Sequence, residues 1–176
     1  LELHHEEMAA QSHLDLLTGL LNRRGLEEHA AALFRDVQDR KRRLTLLFAD
    51  LDGFKGINDA LGHHVGDVVL RKVAGLINAS TRDSDVAARY GGDEFVVIMP
   101  DTDLRHATLV AGRLQAAVAQ WARSGEASLS LSIGMGAAPE HGQELAALLE
   151  RVDGAMYLCK QSLGRGGIRC VGDVTA

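Results

Sequence analysis

"DVAARYGGDEFVVIMP", residues 85–100, sets two strand-like runs around a pair of glycines. Residues 85–90 and 94–100 have strand composition, and Gly91-Gly92 between them predicts a β-hairpin. Asp93 and Glu94 follow the turn directly. Neighbouring acids repel and glycines give up stability, so a purely structural segment gains nothing from this order. It suits a site for a charged ligand.

Upstream, "LTLLFADLD" (residues 44–52) is apolar on both faces until Asp50, as expected of a central buried strand. If that strand neighbours the hairpin, Asp50, Asp93 and Glu94 converge at one end of a sheet. Uncompensated, they would raise one another's pKa values. A hard divalent cation removes that conflict, and magnesium favours a few carboxylate and carbonyl oxygens while leaving positions for phosphate. A strand-end aspartate with an acid from an adjacent hairpin is the geometry of two-metal phosphoryl or nucleotidyl transfer. On its own, the tetrapeptide reads equally as a solvated acidic turn.

The rest of the chain alternates helices with strands. Residues 20–43 repeat Leu26, Ala30, Leu33, Phe34 and Val37 at helical spacing. Residues 53–67 are polar and glycine-rich, predicting a short helix and loops. The following helix buries Val68, Val69, Val73, Leu76 and Ile77. A third helix starts near Asp103. "ASLSLSIGMGAA" (residues 127–138) alternates Leu129, Leu131, Ile133 and Met135 with small residues, predicting a strand with one buried face. A last helix and a short edge strand, "GIRCVG", close the chain. This order predicts an α/β (α+β) sandwich: a central antiparallel-rich sheet flanked by helices, of the ferredoxin-like, nucleotidyl cyclase or polymerase-palm type. Residues 1–17 read as a helical connector from a missing N-terminal region, and residues 18–174 as one domain.

Composition narrows the function. The 176 residues are 46% hydrophobic and 24% charged, which is globular. A net charge of -5 without a basic run argues against nucleic-acid or anionic-membrane binding. Cys159 and Cys170 form no CxxC and read as packing residues in a reducing cytosol. No apolar run reaches membrane-spanning length. The fragment is therefore expected to be cytoplasmic, with any membrane anchor of a parent protein lying upstream. His63 and His64 are adjacent and cannot easily share one ion, so turn and packing roles are expected of them.

"RYGGDEF" (residues 89–95) resembles the signature of the GGDEF family of diguanylate cyclases, which join two GTP molecules into cyclic di-GMP. "DLLTGLLNRRGL" (15–26), "DLDGFKGINDALGHHVGDVVL" (50–70), "LSIGMG" (131–136) and "AMYLCKQSLGR" (155–165) are similar to further motifs of that family, in order. The resemblance implies a metal-dependent nucleotidyltransferase using two Mg2+ or Mn2+ ions per site. Asp50, the carbonyl of Leu51, Asp93 and Glu94 would hold the metals, with Asp50, Asp93 and Glu94 catalytic. Asn58 and Asp67 would read guanine, since a carboxylate accepts from a donor pair that adenine lacks. Phe54 and Lys55, on a loop, would wrap the β- and γ-phosphates. Gly91 and Gly92 would admit the nucleotide, and Lys160 and Arg165 would add positive charge; by themselves Lys55, Lys160 and Arg165 read as surface cations. Asp52 is expected to support the cluster by hydrogen bonding. Two departures stand out: Lys160 and Arg165 are one position further apart than is usual in the family, and Gly53 stands where larger side chains are common, which would loosen the phosphate loop. Neither touches the carboxylates, so an active enzyme is expected.

"RDSD" (residues 82–85) has the RxxD spacing of the family's product-inhibition site, with Arg113 a candidate cross-contact. Arg82 can present two donors to guanine O6 and N7, and Asp85 can accept from the opposite edge. A two-fold symmetric product made from two nucleotides implies two copies of the domain face to face, hence an active homodimer. The alternative function is a non-catalytic receptor for cyclic di-GMP or GTP.

Overall fold

The computed structural model of this chain describes residues 13–123 and 128–173. The expected connector lies outside the described residues as far as position 12. Residues 13–17, read as its end, are not helical. Asp15 instead closes a turn, accepting from the Thr18 backbone N–H at 2.9 Å and its hydroxyl at 2.6 Å. Gly19 then turns the chain with φ of 74°. Asn22 caps the first helix, α1 (Arg23–Arg40), by accepting from Gly25 N–H at 2.9 Å, which is why the helix starts after Leu20 and not at it.

Strand β1 (Leu44–Asp52) follows, then α2 (Phe54–Leu61) and α3 (His63–Ser80). The hairpin forms as expected from β2 (Val86–Arg89) and β3 (Glu94–Pro100). Helix α4 (Leu104–Arg123), strand β4 (Ser130–Ala138), helix α5 (Leu145–Leu163) and strand β5 (Ile168–Cys170) complete the chain. The five strands run in the order β2-β3-β1-β4-β5, antiparallel except for the parallel β4/β5 pair. This is the antiparallel-rich sandwich that the alternation of elements predicts.

Strand alternation divides the core between the two faces of the sheet. Leu47, Ala49 and Leu51 of β1, with Phe95, Val97 and Met99 of β3, meet Ile57, Val73, Ile77, Ala111 and Leu114. Leu44, Leu46 and Phe48, with Val96 and Ile98, meet Leu26, Ala30, Phe34, Leu148 and Val152. So α2, α3 and α4 cover one face, and α1 and α5 the other. Val68 is 48% exposed rather than buried, because the apolar stripe of α3 runs instead through Val69, Leu70, Val73, Ala74 and Ile77.

Strand β4 departs from its expected single buried face: Leu131 to Ala138 are buried on both. The small residues of the alternation are the reason. A Cβ on Gly134 would collide with the Val152 carbonyl, and one on Gly136 would lie 2.7 Å from a Val152 methyl. Glycine here lets α5 lie directly on the strand, a packing role invisible to hydropathy.

The outer strands are short, four residues in β2 and three in β5. Beside β2, Leu21 N–H donates to Ala87 O at 3.2 Å, and Leu21 O accepts from Arg89 N–H at 2.8 Å. Beside β5, Cys170 N–H donates to the Asp173 carboxylate at 2.8 Å.

Candidate active site

The antiparallel register of β1 and β3 places Asp50 opposite Glu94, and Leu51 N–H donates to Asp93 O at 3.1 Å. The three acids anticipated from the sequence therefore meet at one end of the sheet. Burial pushes the Asp93 carboxyl above its usual range, and the charge of Asp50 adds to the effect. Glu94 is raised for the same reasons, with Asp93 and Asp153 contributing further.

The turn carrying these acids is not the two-residue glycine turn its sequence suggests. Four residues, 90–93, connect the strands, and neither Gly91 nor Gly92 has positive φ. Tyr90 N–H donates to Glu94 O at 2.8 Å. Gly91 also makes room: a Cβ there would meet the Glu94 carboxylate at 2.5 Å and push that side chain aside. Gly92 faces open space. Its carbonyl accepts from Arg89 Nη2 at 2.8 Å, and Arg89 Nη1 donates to Asp15 at 3.2 Å. Asp15 and Arg89 thus anchor the turn. No local pattern announces this pair, because the partners stand 74 positions apart.

Lys160 reaches down from α5 to Asp50 at 2.8 Å and Asp52 at 3.5 Å. Burial alone would lower its pKa, but the two aspartates outweigh it and hold the ammonium protonated. Asp52 is only 6% exposed and accepts from Ser132 Oγ at 2.6 Å, Gly166 N–H at 3.0 Å and Ser130 Oγ at 3.1 Å. This is the supporting role expected of it. As the side chains stand, no three acid, imidazole or thiolate groups among the described residues form a ready cage for an ion. The donor chemistry nonetheless fits a hard divalent cation: carboxylate oxygens at a strand end, two of them destabilised as anions.

Gly53 proves necessary rather than loosening. Its φ is 88°, and a Cβ would sit 2.7 Å from Ser128 O. Arg165 Nη1 comes within 3.7 Å of that Cβ position, so the extra residue after Lys160 does not carry the guanidinium away from residue 53. Phe54 is not on a loop: it opens α2 and its ring is buried in the core, leaving only its backbone toward the site. Lys55 is exposed. A Cβ on Gly66 would collide with Asn58 Oδ1, so this glycine lets α3 press against α2, one residue before Asp67. That oxygen is buried without a hydrogen-bond partner, an orphaned acceptor that calls for an explanation.

Arg82, Asp85 and Arg113 line one cavity of about 570 Å³, with Met99, Thr102 and His106. Asp85 accepts from the Arg82 backbone N–H at 2.8 Å, closing a turn that leaves the Arg82 side chain exposed. The cavity adjoins Met99, five residues along β3 from Glu94, or roughly 17 Å of strand. The sequence leaves open whether Arg113 comes from a partner domain or the same one; Arg113 of this chain lines the cavity. His63 and His64 are exposed at the start of α3 and join no cluster of ligands among the described residues. No described helix is long and apolar enough to cross a membrane.

A family model described as "Diguanylate cyclase, GGDEF domain" matches residues 12–165. Diguanylate cyclase TpbB of Pseudomonas aeruginosa is 40% identical over 167 residues, covering 92% of this chain and 38% of that protein. The response regulator PleD of Caulobacter vibrioides is 39% identical over 159 residues, covering 88% of this chain and 35% of that protein. The chain thus spans well under half the length of these curated relatives. Among solved structures, the isolated GGDEF domain of P. aeruginosa TpbB aligns with a TM-score of 0.83 at 39% identity, covering 90% of this chain and 94% of that one. The coiled coil and GGDEF domain of DgcB from Caulobacter crescentus, in complex with cyclic di-GMP, aligns at 0.78 with 27% identity, covering 96% and 91%.

Proposed function

The chain belongs to the GGDEF diguanylate cyclase family, whose fold it shares, and we propose that it condenses two GTP molecules into cyclic di-GMP and two pyrophosphates. The observation that carries this reading is the convergence of Asp50, Asp93 and Glu94, two of them raised in pKa by burial and mutual charge. Divalent cations, Mg2+ or Mn2+ and two per site, would neutralise these acids and supply Lewis-acid charge to the triphosphate. Asp50, the Leu51 carbonyl, Asp93 and Glu94 would hold them. In ionised form, Asp93 or Glu94 accepts the proton of the attacking 3′-hydroxyl.

Asn58 Oδ1 has no partner within the protein and would accept from a guanine donor once the side chain turns outward, with Asp67 taking the N1–H and N2–H₂ edge. Lys160 and Arg165 approach from α5 and the turn beyond it, where they would meet the phosphates together with exposed Lys55 and the backbone of Phe54. Gly92 leaves open room for the nucleotide on the turn. Each 3′-hydroxyl attacks the α-phosphate of the opposite GTP, so two copies must face one another to close the ring, and forced dimers would be faster. The cavity of Arg82, Asp85 and Arg113 would bind the product and inhibit. A soluble GTP substrate places the domain on the cytoplasmic side.

The experiment is chromatographic: concentrated protein is incubated with GTP and Mg2+ and the mixture searched for cyclic di-GMP. Product from the wild type and none from Asp93→Ala supports the reading. No product even from coiled-coil-fused dimers would sink it. For the regulatory part, Arg82→Ala should raise the inhibitory concentration of cyclic di-GMP about tenfold or more, the worth of one bidentate purine contact; unchanged inhibition would remove the cavity from the account.

A further inference from the structure

We infer that Gln115 is a positioning residue of the triphosphate side of this site, although it lies on α4 and touches none of the acids. This rests on the reading of Arg165 as a phosphate ligand. The Gln115 side-chain amide lies 2.7 Å from Leu131 O, 2.8 Å from Gly166 O and 3.0 Å from Gly167 O. Two amide hydrogens thus serve three carbonyls, one on β4 and two on the turn that joins α5 to β5.

That turn is held by a small set of polar contacts, of which the Gln115 amide supplies the carbonyl side of Gly166. Gly164 and Gly166, on either side of Arg165, have φ of 75° and 79°, outside any helix or strand. Gly166 is gripped from two directions. Its N–H donates to Asp52 at 3.0 Å and lies 3.2 Å from Ser132 Oγ, and its carbonyl accepts from Gln115. Gly167 O is shared between Gln115 and Ile133 N–H, the latter at 2.9 Å. The bonds meet at the residue directly after Arg165, and Asp52 continues the network to Lys160 at 3.5 Å. Releasing the Gln115 amide leaves Gly166 O unbonded and Gly167 O held by Ile133 N–H alone, which loosens the turn behind Arg165 and its hold on the phosphate position.

Its neighbours on the buried side of α4 are Ala111, Leu114 and Val118. Leucine would suit this packing as well, so the glutamine is explained by its donors. Gln115 is half-buried, and the three carbonyls satisfy an amide that its apolar neighbours would leave short of partners.

The test compares Gln115→Leu, which keeps bulk and removes the donors, with Gln115→Lys, which restores N–H donors at similar reach. Three readouts are taken on each: the Kd of a non-hydrolysable GTP analogue with Mg2+, KM and kcat for GTP, and thermal unfolding. Gln115→Leu should weaken nucleotide binding and raise KM about fivefold, the scale of one hydrogen bond. KM should rise by more than kcat falls, and Gln115→Lys should recover most of the affinity. Unchanged Kd and KM in Gln115→Leu overturns the inference. So does a fall in melting temperature and kcat with KM unmoved, which would mark a structural strut only. If Gln115→Leu does not fold, Gln115→Asn, one methylene too short for the carbonyls, faces the same criteria. A wild type that binds the analogue, weakens in Gln115→Leu and makes no cyclic di-GMP would sink the cyclase reading and leave Gln115 standing.

Discussion

Asp52 and the pair Asp93–Glu94 lie at the same end of the sheet with the same formal charge, in opposite surroundings. Asp52 is buried and surrounded by donors: two serine hydroxyls, a glycine N–H and the Lys160 ammonium. Asp93 and Glu94 are half-buried and surrounded by other acids, with their ionised forms disfavoured. One carboxylate is saturated with donors from the protein; for the others, burial and neighbouring acids outweigh the little support they receive. Donor supply, not proximity, separates the acid that the protein itself satisfies from the acids proposed to hold the metals.

The largest expected effect tests the second class. Asp93→Asn should lower turnover by about three orders of magnitude, as loss of a metal-ligating charge does, with the circular dichroism spectrum intact. Retained turnover would put Asp93 outside the machinery. Asp52→Ala, by contrast, should act first on stability, because it strands three donors and half of an ion pair. About 3 kcal/mol, or roughly 9 °C by calorimetry, is the expected loss. A melting temperature within a degree or so of wild type would erase the distinction between the two classes.

The pH dependence sharpens it further. With pKa values raised in the folded state, Asp93 and Glu94 ionise only above the ordinary carboxylate range. Mn2+ affinity should therefore fail, as pH is lowered, at a higher pH than an unperturbed carboxylate would predict. For folding the sign is reversed from the usual acid: the native state binds the protons more tightly, so without metal stability is lost as pH rises through the raised values. Titration by calorimetry with Mn2+, beside melting curves in chelator, reads both; a metal-binding midpoint within the normal range would refute the raised values. The smallest effect follows from the same sign. Glu94→Gln in chelator should raise the melting temperature by about 1–2 °C at neutral pH, a small gain because solvent screens a half-exposed charge. A lower melting temperature would mean that Glu94 has a stabilising partner.

Much of this was legible in the chain. Asp50 could be placed at a strand end because its strand is apolar on both faces, and the hairpin because its runs flank two glycines. Arg82 and Asp85 stood out by their RxxD spacing and its offset from the hairpin, and they line one cavity. What escaped was whatever depends on space or on partners remote in sequence. Gly91 reads as a two-residue turn glycine, but it has no positive φ and instead makes room for the Glu94 carboxylate beside it. Gly53 reads as a departure but is required by φ and the Ser128 carbonyl. Phe54 sits in a loop-like string and buries its ring. Asp15 and Arg89, and Gln115 with its three carbonyls, are tertiary pairings without a local signature. Periodicity reports which face is buried; it is silent on which polar atoms meet there.

The short outer strands have a consequence for how copies of this domain can associate. Assembly by adding strand to strand needs a run of unpaired N–H and C=O groups, the template of aggregation. Here β2 offers four residues with Leu21 already bonded alongside, and β5 offers three with the Cys170 N–H engaged by Asp173. Continuous growth of the sheet is closed at both margins. At high local concentration the domain is thus guarded against stacking edgewise into fibres.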